Sequence, residues 1–154
     1  MFQQLLTSFI ASAGFGIIFN APRRTLIQCG VVGMIGWGIY YLFYMYQLNV
    51  VYGTFIAAFF VGIISQIFAR LYKTPILNFT VGGIIPLVPG GLAYDAMRHF
   101  VQYDYNGAVS LASRVLLLSV AIAIGLLTSE VANQFIRKIP YRQVRKTGQL
   151  NQRK

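Results

Sequence analysis

The chain carries only three acids and one histidine. Its capacity for chemistry is concentrated where Asp95, Arg98 and His99 follow a run of prolines and glycines. At spacings of three and four residues, these side chains share one face of a helix. A carboxylate in an apolar segment can take up a proton or hold a substrate ammonium. An arginine one turn away can be its counter-ion or clamp a carboxylate. The same residues would also serve as a structural ion pair at the membrane rim, with His99 at the interface. Glu130, far along the last apolar run, is a second proton-coupling candidate. No nucleophile with a base, no cluster of metal ligands and no phosphate-binding loop accompanies them, so hydrolytic chemistry lacks parts. Neither an enzyme nor a bound cofactor is expected.

The stretch that must position these groups is Gly82-Gly83-Ile84-Ile85-Pro86-Leu87-Val88-Pro89-Gly90-Gly91. It lies in an apolar segment long enough to cross a bilayer, yet Pro86 and Pro89 each remove a backbone donor and block the preceding turn. Gly90 and Gly91 add no helix-forming drive. The segment therefore reads as two half-helices, the first ending near Ile85 and the second starting near Gly90. In hydrocarbon such a break is tolerated only against protein or a water-filled cavity. The free carbonyls of the first half attract an ammonium, and the free amides of the second attract a carboxylate. Each half covers about half of the hydrocarbon thickness, so the break is expected near the midplane. Thr74 is expected to cap the first half, with Pro75 at its first position.

Composition sets the class. Of 154 residues, 56% are hydrophobic and 10% charged, where a soluble domain has about a quarter charged. The net charge of +10 would point to nucleic acid in a soluble protein. Here the thirteen basic residues fall almost entirely between apolar runs and in the tail, as cytoplasmic loop markers do. The expected partner is the lipid bilayer, not nucleic acid. Cys29 is the only cysteine, which excludes a disulfide framework.

The fold class expected is all-α, a polytopic membrane protein with about five transmembrane helices, the fourth broken by the Pro/Gly run. The spans are read at residues 2–20, 26–46, 50–69, 74–101 and 108–136, as one membrane domain over 1–136. Residues 137–154 form a basic cytoplasmic tail. Gly30, Gly33 and Gly36 make a smooth strip for close helix contact, and Ala58 and Gly62 a small-xxx-small face. Trp37, Tyr40, Tyr41, Phe43, Tyr44 and Tyr46 read as an interfacial belt. Ser65 and Gln66 are expected to form interhelical hydrogen bonds. Arg114 and Glu130 stand near opposite membrane faces. Basic loops place the N-terminus outside and the tail inside.

The proline-glycine run with Tyr94 shortly after it, and the earlier Gly14-Phe15-Gly16 and Asn20-Ala21-Pro22, resemble the C-terminal membrane part of the threonine/serine exporter family. The likeness covers all five spans and excludes the basic tail. It implies the small subunit of a split, two-gene exporter in the bacterial inner membrane. Such a carrier is driven by the proton motive force, exports threonine, serine or related small carboxylates, and works with a larger membrane subunit; a higher oligomer is a further expectation. The substrate-binding candidates are Gly82, Gly83, Pro86, Pro89, Gly90, Gly91, Tyr94, Asp95 and Arg98, with Asp95 and Glu130 for proton coupling. If the partner also has five spans, fusing the two would make inverted halves, a common carrier architecture. The competing reading is a non-transporting membrane scaffold or assembly factor.

Overall fold

The computed structural model describes the backbone of residues 2–151 and the side chains of residues 2–135. The expected basic tail at 137–154 lies outside the residues whose side chains are described. Six α-helices follow one another: α1 (Phe2–Ile18), α2 (Leu26–Met45), α3 (Val50–Tyr72), α4 (Ile76–Ile84), α5 (Gly90–Val101) and α6 (Tyr105–Asn151). Short 3-10 turns at Arg23–Thr25 and Ile85–Leu87 interrupt the series. No strand occurs among the described residues. The protein is an all-α, multi-pass membrane protein. Arg23–Met45, Val50–Tyr72 and Tyr105–Phe135 are each long and apolar enough to cross a membrane. Ile76–Leu87 and Gly90–Val101 together make a fourth candidate, bent by 50° at the break. α1 is apolar but only 17 residues long, about 25 Å at the usual helical rise.

Most of the described glycines serve packing, and none supplies a left-handed turn. Four described residues have left-handed φ: Asn20 at 55°, Gln47 at 51°, Lys73 at 52° and Tyr103 at 64°, and no glycine does. Each ends a helix, and the following amide reaches back five residues: Ala21 to Gly16, Leu48 to Phe43, Thr74 to Ala69 and Asp104 to His99. This is the Schellman closure, where glycine is the commonest choice because a Cβ there is strained. Most of the glycines instead lie inside helices at contact points, Gly14, Gly90 and Gly91 being open. The strip on α2 packs as expected from its spacing. A Cβ on Gly30 would meet Phe9, one on Gly33 would meet Ser12, and one on Gly36 would meet Val61.

Closing the last turn of α3 through the Thr74 amide also corrects the expected cap. Helix α4 begins at Ile76 with extended Pro75 (ψ 136°) at the cap position and no side-chain cap bond. The Thr74 hydroxyl is buried without a partner.

The same economy joins α3 to α6. Ala58 and Gly62 meet Gly125 and Ser129, which stand at the same spacing of four. A Cβ on Gly125 would lie 2.7 Å from the Phe55 carbonyl and 2.9 Å from the Ala58 methyl. Buried Val32, Ala57, Ala58, Val61, Leu87 and Ile122 form the core around this contact. Small residues matter here because lipid competes equally for large apolar side chains, so close backbone approach supplies the association.

This register has a consequence for α5. The two helices run parallel, and counting back from Ala58 opposite Gly125 sets Val50 level with Leu117. Residues 105–116 of α6 therefore continue past the start of α3 by roughly 18 Å. Helix α5, joined to α6 by only residues 102–104, runs back along this overhang and packs chiefly on α6.

Gly125→Leu should overpack the α3–α6 contact by about 1–3 kcal/mol and lower the thermal unfolding midpoint in detergent. Gly14→Leu is the control, because nothing lies within 4 Å of a Cβ at Gly14. Equal midpoints for the two variants would contradict this packing.

Candidate functional site

The break follows from the two prolines. Pro86 has no N–H for the Gly82 carbonyl, its helical partner, and Pro89 none for that of Ile85. The Val88 amide serves the Ile85 carbonyl instead, at 3.3 Å, while also reaching that of Ile84 at 3.2 Å. The Gly90 amide folds back to Val88 at 2.7 Å, and Ala93 donates to Pro89 at 3.1 Å. Among the described residues, the amides of Gly91 and Leu92 remain the free donors at the start of α5. The carbonyl end of α4 rests on α2. The Gly82 carbonyl lies 3.5 Å from a Cβ placed on Gly33, and the Gly83 carbonyl 3.5 Å from one on Gly36. The Leu87 side chain is 3.6 Å from the same Gly36 position. Gly36 is near the middle of α2, so the break begins about halfway along that helix.

The four candidate glycines divide into two pairs. Gly82 and Gly83 are buried at helix contacts: a Cβ on Gly83 would meet Val32 at 2.5 Å and Val61 at 2.8 Å. Gly90 and Gly91 are exposed, with nothing within 4 Å of an added Cβ. Pro86 and Pro89 are partly buried between the pairs. The uncovered side of the break is therefore the α5 side, where the free amides are.

The ionisable residues pair differently from the sequence expectation. His99 does not pair with Asp95. Its Nδ1 lies 2.9 Å from Asp104 Oδ2, at the turn between α5 and α6. Asp104 is also the cap of α6, since its Oδ1 accepts from the Gly107 amide at 3.1 Å. Capping turns the second oxygen towards His99, a draw that a sequence reading of Asp95 alone misses. The Gly107 amide, and after it the His99 ring, hold the Asp104 carboxyl below its usual range. Asp95 is partly buried and Arg98 exposed, and no ion pair joins them or any other described residue to either. Tyr94 is 70% exposed. The candidate face thus turns outward from the chain, opposite buried Ala96, which faces α6.

Glu130 lies apart from this group, at the far end of the α3–α6 contact. Gln66, buried, donates to the Ser129 carbonyl at 3.3 Å and to Glu130 Oε2 at 3.2 Å. Arg70 donates to Asn133 one turn further on. The interhelical bond expected of Gln66 is present, whereas the Ser65 hydroxyl is buried with no partner. The aromatic belt is only partly on the surface: Tyr44 and Tyr46 are exposed, while Tyr40 packs on the core and Trp37 stacks on it at 5.1 Å between centroids.

The sequence reading overlooked the serines of α1. Ser8 donates to the Gly33 carbonyl at 3.0 Å, and buried Ser12 faces Gly33 beside Gly82 with its hydroxyl unpartnered. Their four-residue spacing, continued by buried Gly16, was the available signal.

A family described as Threonine/Serine exporter, ThrE, matches residues 4–132, from the first turn of α1 into α6. No solved structure matches the chain.

Gly83→Ala should destabilise the fold, because Val32 and Val61 occupy the added methyl's place. Gly90→Ala should leave stability unchanged or raise it by up to about 1 kcal/mol through helix propensity. Thermal unfolding in detergent separates the two. Because the Asp104 carboxyl is held low, its contribution is present above the usual aspartate range and lost as pH falls through the lowered value. Acid titration of helicity should show this loss in the parent and not in Asp104→Ala.

Proposed function

The chain belongs to the threonine/serine exporter family, and we propose that it is the small subunit of a split exporter acting with a larger membrane subunit. In this reading it moves threonine, serine or related small carboxylates out across the bacterial inner membrane, driven by the proton motive force. Family membership makes it an exporter-type membrane transporter. The observation that supports the finer reading is the break itself, with free amides at Gly91 and Leu92 beside an uncovered glycine pair. A helix N-terminus of this kind receives a carboxylate, and broken helices are where carriers hold substrate.

The roles follow from chemistry. Gly90 and Gly91 let a substrate carboxylate approach the backbone, and Pro86 and Pro89 keep that backbone from closing into a helix. Gly82 and Gly83 seat α4 so that the break stays at mid-depth. Arg98 offers a second carboxylate contact and Tyr94 a wall, both reached from the open side of α5. Asp95 takes the substrate ammonium or a coupling proton. Glu130, held by Gln66 near the opposite end, is the other candidate for the proton path. A substrate on this open face needs a second surface to exclude water, which supports a partner subunit.

Three outcomes test this reading. Gly90→Leu with Gly91→Leu should still insert, since hydrophobicity rises, yet abolish export of radiolabelled threonine or serine. Normal export by that double variant would remove the substrate site from the break and favour a scaffold role. Asp95→Asn should flatten the pH dependence of export more than it lowers abundance, and an unchanged pH profile would exclude coupling at Asp95. With the N-terminus outside, a cysteine at Gln47 should react with an impermeant thiol reagent in intact cells and one at Lys73 should not. The reverse pattern would invert the topology.

A further inference from the structure

We propose that two copies of this chain pair through α5, with Asp95 of each copy set against Arg98 of the other. Helix α5 packs chiefly on α6 and stands alongside the overhang of residues 105–116, away from α1–α3. Buried Ala96 marks the side that faces α6. On the opposite side Gly91, Tyr94, Arg98 and Val101 follow at helical spacing, flanked by Asp95 and Met97. Tyr94, Met97 and Val101 are 70%, 65% and 71% exposed. Lipid would cover apolar side chains equally well, but Asp95 has no cation within ion-pair distance among the described residues.

The charges identify the occupant. Asp95 and Arg98 are opposite in sign and one turn apart, yet neither has an ion-pair partner among the described residues. In a twofold interface, residue i of one copy meets residue j of the other and j meets i. A face carrying one acid and one base a turn apart is complementary to itself, so both pairs form at once. Gly91, with no atom within 4 Å of an added Cβ, lets the two α5 backbones approach closely at one end of the contact. The pairing rests on the shape and charge of this face; where it forms, Asp95 and Arg98 answer to each other across the two copies and not to the cargo.

The test is disulfide crosslinking of the full-length chain in native membranes, in a Cys29→Ser background. Tyr94→Cys should give an oxidised dimer, and Leu127→Cys, on the far part of α6, should not. Adding Asp95→Arg, or separately Arg98→Asp, places like charges together and should cut the dimer about tenfold. Co-expressing the two single-reversal chains, distinguishable by size tags, should restore a mixed dimer, because each now supplies what the other lacks. That rescue requires contact between copies and cannot arise from pairing within one chain. Failure of Tyr94→Cys to crosslink overturns the proposal. So does absence of the mixed dimer when both chains are in the membrane at parental levels. A Tyr94→Cys product formed only with a different membrane protein also overturns it, assigning the face to a heterologous subunit.

Discussion

The structure depends on how closely α4 can approach α2. Gly33 and Gly36 on one helix lie against the carbonyls of Gly82 and Gly83 on the other, and a methyl on Gly83 would run into Val32 of α2 and force the two apart. In a bilayer the hydrophobic effect gives little reason for helices to associate, so contact must come from close backbone approach. This one crossing seats the end of α4 halfway along α2 and brings Leu87 into the core with Val32 and Val61. The location of the break, and with it every argument about substrate, follows from that seat.

The break then divides the segment into two unlike halves. Helix α4 is a packing element, fixed by glycines on both sides. Helix α5 leaves at 50° and answers mainly to α6. The 3-10 turn between them shares one amide, that of Val88, between the Ile84 and Ile85 carbonyls, and so satisfies the carbonyl that Pro89 leaves open. The donors that remain free are on the α5 side, next to the glycines with empty space around them. A rigid acceptor end and an open donor end in one segment suit a site that must hold a carboxylate and release it.

The α5–α6 hairpin is tied by Asp104, which caps α6 and contacts His99 with the same carboxylate. With that acid committed to the turn, Asp95 is left without an ion-pair partner among the described residues. Asp95 and Arg98 are two opposite charges unpaired among the described residues on one side of α5, which is why the proposed transport role and the proposed pairing both draw on that helix.

Helix content, membrane class and the interruption at Pro86 and Pro89 were determined by the sequence alone, because they follow from local rules: a missing N–H, a run of apolar residues, basic loops. The contact strip at Gly30, Gly33 and Gly36 was legible for the same reason, since a period along one helix needs no knowledge of its partner. Which glycines pack and which stay open was decided only by tertiary structure. Gly82 and Gly83 look the same as Gly90 and Gly91 in the chain, and only the seat on α2 distinguishes them. The partner of His99 was likewise a tertiary matter: spacing favoured Asp95, but the turn after α5 carried Asp104 into reach while capping α6. The match of Ala58 and Gly62 to Gly125 and Ser129 joins residues more than sixty positions apart, and no local pattern could choose that partner over others. Spacing along a helix tells which residues share a face; what that face meets is settled by the packing of the whole chain.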